Sequence, residues 1–204
     1  AMVRASVTDR DVRFVTPRGE FTVKLQVRGE HNVRNAMAAC AAAFALGIPF
    51  TAMRAGLAGF GGVPGRQQRR RAPGGSLVID DSYNANPESM KAATQVLAQE
   101  QGRKVLVMGD MGELGDEAAA MHAEVGAFAR DAGIDALMAL GEASRHAVQA
   151  FGKGAAHFDD IDALTKAAQR EAAGGAAILV KGSRFMRMER VADALAGKGD
   201  GHAV

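Results

Sequence analysis

Residues 79–87 read IDDSYNANP and crowd two carboxylates, a phenol and two carboxamides between Asp80 and Asn86. The apolar run SLVI comes just before them, so these groups fall at the carboxyl end of a buried strand, the edge where wound α/β sheets collect ligands. Asn86 fits a helix N-cap, and Pro87 fits the first helical position, where its missing N–H costs nothing. One cap serves one helix. Asp80, Asp81, Tyr83 and Asn84 therefore exceed what a structural turn requires, and the excess favours a ligand turn. Adjacent acids point in different directions, so at most one of the two faces a shared ligand.

Two later turns also follow apolar runs. In VMGDMGELGDE, Gly109, Gly112 and Gly115 allow a tight turn with its N–H groups presented. The G-x-x-G-x-x-G spacing is not the dinucleotide fingerprint, and Asp110 and Glu113 would repel a phosphate. A tight turn with helix-capping acids explains this stretch as well as a site does. In VKGSRFMRMER, Lys181, Ser183 and Arg184 surround Gly182 with donors and positive charge, which suits a carboxylate or a phosphate. A solvated charged face accounts for the same residues. Met186, Met188 and Val191 read as the core side of a helix.

Nearer the N-terminus, GEHNVRNAMAA opens an Ala-rich helix. Asn32 and Asn35 lie three apart and share a helical face, and a carboxamide can match the N6/N7 edge of adenine. Read alone, a cap and one surface Asn explain them. His31 is a candidate ligand, though lone histidines usually are not. His122 offers an imidazole but reads as a surface histidine. Arg66, Arg69, Arg70 and Arg71 form the densest basic run. With no interleaved aromatics, one Arg on a phosphate with the others solvated is more economical than an RNA surface.

The elements that must position these groups are regular beyond residue 75. SLVIDD, KVLVMGD, DALMAL, a weak strand near His157-Phe158 and AAILVK alternate with helices over 87–100, 116–131, 142–151, 160–172 and 184–196. Continuous apolar strands alternating with amphipathic helices predict an α/β fold, a Rossmann-like and mostly parallel sheet covered on both faces. Before it, residues 3–28 alternate as antiparallel strands with turns at Asp9-Arg10-Asp11 and Arg18-Gly19-Glu20. A helix follows over 31–46, ended by Gly47 and Pro49, then a short one to Phe60 that Thr51 could cap. FGGVPGRQQRRRAPGG, rich in Gly, Pro and Arg, reads as a hinge or linker.

Composition sets bounds on function. The 204 residues carry a net charge of +2, with 48% apolar and 24% charged residues, so no global field advertises nucleic acid or membrane. One Cys (Cys40) excludes an internal disulfide and a cysteine-based zinc cluster and favours a reducing, cytoplasmic setting. With no Trp and a single Tyr, stacking platforms for single-stranded nucleic acid are not expected. No apolar run has the length of a membrane span. Ala1-Met2 reads as an engineered junction, so the chain is expected to be a piece of something larger.

Taken in order, G-x-H-N-x-x-N, G-R, I-D-D-S-Y-N-A-N-P, G-D-M-x-E-L-G with H-x-E-V-G, and K-G-S-R-x-M-x-M-E resemble the Mur ligases. The resemblance covers the chain from Val3 onward. It is nearest to the member that joins D-alanyl-D-alanine to UDP-N-acetylmuramoyl-tripeptide in peptidoglycan precursor synthesis. It implies that residues 1–63 are the end of the central ATP-binding domain, a small β-plus-helix remnant, and that 64–204 are the C-terminal domain. It implies that Asn32 and Asn35 contact adenine, that Arg66 contacts an ATP phosphate and is the catalytic residue, and that Asp81 holds the ribose hydroxyls. Tyr83, Asn84, Asn86, Lys181, Ser183 and Arg184 would face the peptide substrates.

The family's G-x-x-G-K-[ST] phosphate loop is missing, since both Gly-Lys pairs, at 152 and 197, are followed by Gly. That loop, the ligands of Mg²⁺ and the UDP-binding domain would precede Val3, which leaves this chain with no metal site of its own. The implied reaction uses ATP to convert the tripeptide carboxylate into an acyl phosphate, which the dipeptide amine then attacks. The chain alone is expected to be inactive and monomeric. A folate- or other peptide-directed ligase of the superfamily, and a non-catalytic nucleotide- or peptide-binding module, stay open as alternatives. All of these roles require Asp81, Tyr83, Lys181 and Arg184 to meet at one cleft.

Overall fold

The computed structural model describes residues 3–8, 11–27 and 29–197. The expectations for Asp9, Arg10 and the His31 side chain lie outside them. The chain forms two compact units, residues 1–62 and 63–204.

The first unit is a three-stranded antiparallel sheet, β1 (Arg4–Thr8), β2 (Asp11–Thr16) and β3 (Gly19–Lys24), with helices α1 (Glu30–Ala45) and α2 (Phe50–Gly59). Period-2 alternation along β2 turns Val12, Phe14 and Thr16 inward, where Phe14 stacks on Phe21 with centroids 5.3 Å apart. Ala36 and Cys40 of α1 close this core. The turn between β2 and β3 is Pro17-Arg18, ahead of the Arg18-Gly19-Glu20 expected, and Gly19 already pairs with Thr16. Pro17 presets the turn dihedral, and Thr16 Oγ1 closes it by donating to the Gly19 carbonyl at 2.9 Å. Thr51 does not cap α2. Pro49 occupies that position, and Thr51 falls inside the first turn.

The second unit is a six-stranded sheet in the order β4-β5-β9-β6-β7-β8. Five strands are parallel: β5 (Leu77–Asp81), β6 (Lys104–Gly109), β7 (Ala136–Leu140), β8 (Ala155–Phe158) and β9 (Ala177–Lys181). Side chains alternate between two cores. Ile79, Leu106, Met108, Leu137 and Leu179 pack under α3 (Pro87–Ala98), α4 (Ala118–Asp131) and α5 (Ser144–Phe151). Val78, Val105, Val107, Ile178 and Val180 pack under α6 (Ile161–Ala173) and α7 (Glu189–Ala196). The chain runs outward from β5 through β6 and β7 to β8 with its helices on one face. It then returns to insert β9 between β5 and β6, and α7 covers the other face. The loops after β9 and after its two neighbours thus leave for opposite sides, which is the reversal point where wound sheets characteristically bind ligands.

Two expectations change here. Gln68–Arg71, read as linker with the arginines solvated, is β4, an antiparallel edge strand on β5. Its guanidinium groups have partners: Arg69 bonds Glu100 at 2.8 Å, Arg70 bonds Asp193 at 2.6 Å, and Arg71 bonds the Gly75 carbonyl. A charged edge strand is how sheets avoid pairing with another chain, and its composition imitates a loop. The helix expected over 184–196 is divided into a 3₁₀ turn at Arg184–Met186 and α7, because Arg187 takes the left-handed conformation at φ 52°. Met188 and Val191 are buried, as helix core.

One surface pair gives the fold a measurable pH dependence. Arg103 donates to Glu171 through Nε at 2.6 Å and Nη2 at 3.0 Å, and these bonds hold the Glu171 carboxyl below the usual carboxylate range. A depressed folded pKa means that the stabilisation is present above the unfolded pKa and is lost as pH falls through the folded one. Glu171→Gln is expected to cost about 0.5 kcal/mol at neutral pH and almost nothing once Glu171 is protonated in wild type, measured by urea denaturation at the two pH values.

Candidate functional site

At the reversal point the ends of β5, β9 and β6 stand side by side, and parallel register sets Asp81 opposite Lys181. Two residues beyond Ile79 and Leu179, these side chains share the α3 face of the sheet. Lys181 Nζ donates to Asp81 Oδ2 at 2.7 Å and to the Asn84 carbonyl at 2.8 Å. Both residues are buried, Lys181 3% and Asp81 8% exposed. The second Asp81 oxygen accepts from the Gln67 amide at 3.0 Å. Asp80 turns the other way, accepting from the Ser82 amide and hydroxyl and facing Arg70 at 3.4 Å. Only one of the adjacent acids bonds across to β9.

Ser183 joins three loops. Its amide donates to the Asp110 carbonyl, its hydroxyl donates to the Ala85 carbonyl at 3.1 Å, and that same oxygen accepts from the Gly112 amide at 2.8 Å. Lys181 and Ser183 were expected as donors to a ligand; in the structure each is bonded inside the protein and braces the loops that carry the exposed groups. Asn86 caps α3, its Oδ1 accepting from the Ser89 amide while the Ser89 hydroxyl accepts from the Asn86 amide.

The exposed rim is made of Arg66, Tyr83, Asn84 and Arg184, with Phe185 beside them. Arg66 Cζ lies 4.4 Å from the Tyr83 ring centroid and Arg184 Cζ lies 6.0 Å from it. Arg184 is also tied to Glu189 at 3.0 Å. Arg66 has no carboxylate partner among the described residues. Two guanidinium groups over one phenol make a receptor for a phosphate or a carboxylate. Asp81, Tyr83, Lys181 and Arg184 do meet at one place, with Arg66 and Asn84 among them. Asn32 and Asn35 are in the first turns of α1 in the first unit, Asn32 half-buried and Asn35 exposed.

Several functional features escaped the sequence. The acid of the second turn, Asp110, caps α5 and not the helix that follows it: its carboxylate accepts from the Ala143 and Ser144 amides and from the Ser144 hydroxyl. The signal was Gly141, whose φ of 111° leaves the room that Asp110 fills; a Cβ there would come within 2.4 Å of the carboxyl carbon. His122, expected at the surface, is fully buried. Its Nε2 accepts from the Met111 amide at 2.9 Å and its Nδ1 faces the Ala118 carbonyl at 2.7 Å, so it holds the same loop in place. Gln67, Glu113 and Arg187 all have positive φ, and each lies in a loop at this edge. Backbone held in that region is typical of sites that orient groups. Among the described residues no three of His, Cys, Asp and Glu gather as metal ligands.

The model of the Mur ligase glutamate ligase domain matches residues 65–184. The UDP-N-acetylmuramoyl-tripeptide–D-alanyl-D-alanine ligase of Escherichia coli K12 is 43% identical over 95% of this chain, which corresponds to 43% of that protein. A crystal structure of MurF from Acinetobacter baumannii superposes with a TM-score of 0.83 at 36% identity, covering 94% of this chain and 44% of that one. The MurF ligase of Thermotoga maritima, solved in complex with ADP, gives 0.74 at 26% identity over 95% of this chain and 45% of that one. The chain thus spans less than half the length of these relatives.

Proposed function

The chain belongs to the Mur ligase family, and we propose that it is the C-terminal part of the ligase that joins D-alanyl-D-alanine to UDP-N-acetylmuramoyl-tripeptide, working in the cytoplasm. The observation that carries this reading is the 43% identity, over nearly the whole chain, to a relative bearing that name. On this reading residues 1–63 end the central domain and 64–204 form the C-terminal domain.

ATP supplies the phosphoryl group that activates the tripeptide carboxylate. The exposed guanidinium of Arg66, without a carboxylate partner among the described residues and steadied on Tyr83, fits a phosphate of that nucleotide. Asp81 keeps lone pairs beyond its bonds to Lys181 and Gln67 and fits the ribose hydroxyls. Asn32 and Asn35 take the adenine by the carboxamide match. Arg184 and Asn84, exposed on the same rim, serve the anionic peptide substrates, while Lys181, Ser183 and Asn86 act by holding those loops. Mg²⁺, which would bridge the nucleotide phosphates, is assigned mostly to ligands in other parts of the longer protein.

The chain by itself contains no G-K-S or G-K-T sequence. It is expected to release no ADP with any amine acceptor. The longer protein containing it is expected to release ADP only when UDP-N-acetylmuramoyl-tripeptide and D-alanyl-D-alanine are both present, as a coupled assay reads directly. Release with glutamate or with a folate substrate in place of the dipeptide would transfer the chain to another branch of the family.

A further inference from the structure

The motif residue Tyr83 was expected to touch the peptide substrate, and its ring lies beneath the Arg66 guanidinium. The backbone on both sides of Arg66 is pinned to the strand-end loop that carries Tyr83. Before Arg66, the Gly65 carbonyl accepts from the Tyr83 amide at 2.9 Å; after it, the Gln67 amide donates to Asp81. The approach at Gly65 is close enough that a Cβ would stand 3.1 Å from the Tyr83 nitrogen, and Gly65 has φ 72°. Gln67 is left-handed at φ 49°. This turn aims the Arg66 side chain across the Tyr83 ring at 4.4 Å. Tyr83 is 45% exposed, and its hydroxyl has no hydrogen-bond partner among the described residues.

We propose that Tyr83 is a positioning residue for Arg66: its ring face, not its hydroxyl, holds the guanidinium where the phosphoryl group must arrive. A long, exposed arginine with no carboxylate partner among the described residues would otherwise sample many rotamers, and ordering it at the moment of reaction would raise the barrier. The negative face of the ring holds the cation in place without neutralising it, which an acid in the same position would do. Arg184, 6.0 Å from the same centroid, adds a second positive charge that an incoming anion relieves. This inference rests on the ligase reading of Arg66 for its catalytic half only; the positional half is a property of the chain itself.

The test uses Tyr83→Phe, Tyr83→Leu, Arg66→Ala and the double variant Tyr83→Leu/Arg66→Ala in the longer ligase. Because Arg66 acts on charge that develops in the transition state, Tyr83→Leu is expected to lower kcat about tenfold or more with KM for ATP changed less than about threefold. Tyr83→Phe is expected to stay within about twofold of wild type, and Tyr83→Leu is expected to add little to Arg66→Ala. Wild-type kcat in Tyr83→Leu, an equal loss in Tyr83→Phe, or additive losses in the double variant would each overturn the proposal. In the 204-residue chain, the Arg66 Nε–H resonance, assigned by its loss in Arg66→Lys, is expected to carry a ring-current shift that Tyr83→Phe keeps and Tyr83→Leu abolishes. That reading stands whether or not the longer protein is a ligase; an unshifted wild-type resonance overturns the proposal, and an inactive wild-type enzyme overturns the ligase reading with its catalytic half.

Discussion

Lys181→Met is expected to destabilise the second unit by about 3–5 kcal/mol, the range for stripping one partner from a buried ion pair. Lys181 and Asp81 are 2.7 Å apart and almost wholly shielded from water. Methionine fills much of the same volume, so the loss comes from charge and not from a cavity. The Asp81 carboxylate would keep only the Gln67 amide, and the Asn84 carbonyl would lose its donor. The double variant Lys181→Met/Asp81→Leu removes both charges and is expected to recover most of the loss, because well-packed apolar residues replace buried pairs at little net cost. Urea denaturation of the three proteins measures this. A single-variant cost below about 1 kcal/mol would mean that the pair is solvated, and that Lys181 is held for a ligand and not for the loops.

Gly126→Ala is expected to lower stability by about 3 kcal/mol, the upper part of the range for overpacking. Helix propensity alone argues the reverse, since alanine is better than glycine in a helix interior by about 1 kcal/mol. The geometry decides the sign. A Cβ on Gly126 would lie 2.1 Å from the Ala147 carbonyl oxygen and 2.7 Å from the Ala147 Cα. Both are backbone atoms, so nothing can rotate aside, and α4 and α5 must move apart. That separation would loosen Val125, Ala129, Ala147 and Phe151 in the core beneath. Gly56 in α2 has open space where its Cβ would go, so Gly56→Ala is expected to stabilise the first unit by about 0.5–1 kcal/mol. Opposite signs for the same substitution, read from thermal or urea unfolding, separate close helix contact from propensity.

The strands SLVI, KVLV, ALMA and AILV could be read in the sequence because burial on both faces leaves them apolar throughout. Asn86 and Pro87 announced the start of α3 by local chemistry alone. What needed coordinates was long-range. The insertion of β9 between β5 and β6 creates the reversal point, and no local pattern encodes which strands become neighbours. The ends Asp81 and Lys181 were both visible as chemistry, but their mutual bond depends on that neighbourhood, and it makes Lys181 a brace between the two strand ends. Asp110 was legible as a capping acid, though its helix lies far along the chain. His122 looked like a surface histidine because only the packing of α4 says which of its faces is buried. The arginines of β4 resembled a linker because edge strands are charged for the same reason that loops are.

The claim on which the rest depends is that the edge of the sheet formed by the ends of β5, β9 and β6 is where the longer protein meets its substrates. Hydrogen exchange of that protein, with and without UDP-N-acetylmuramoyl-tripeptide and a non-hydrolysable ATP analogue, measures it most directly. Protection is expected to concentrate in residues 63–67, 82–86 and 182–186 and to spare the opposite edge at 101–103 and 174–176. Protection confined to that opposite edge, or none within 63–197, would contradict it.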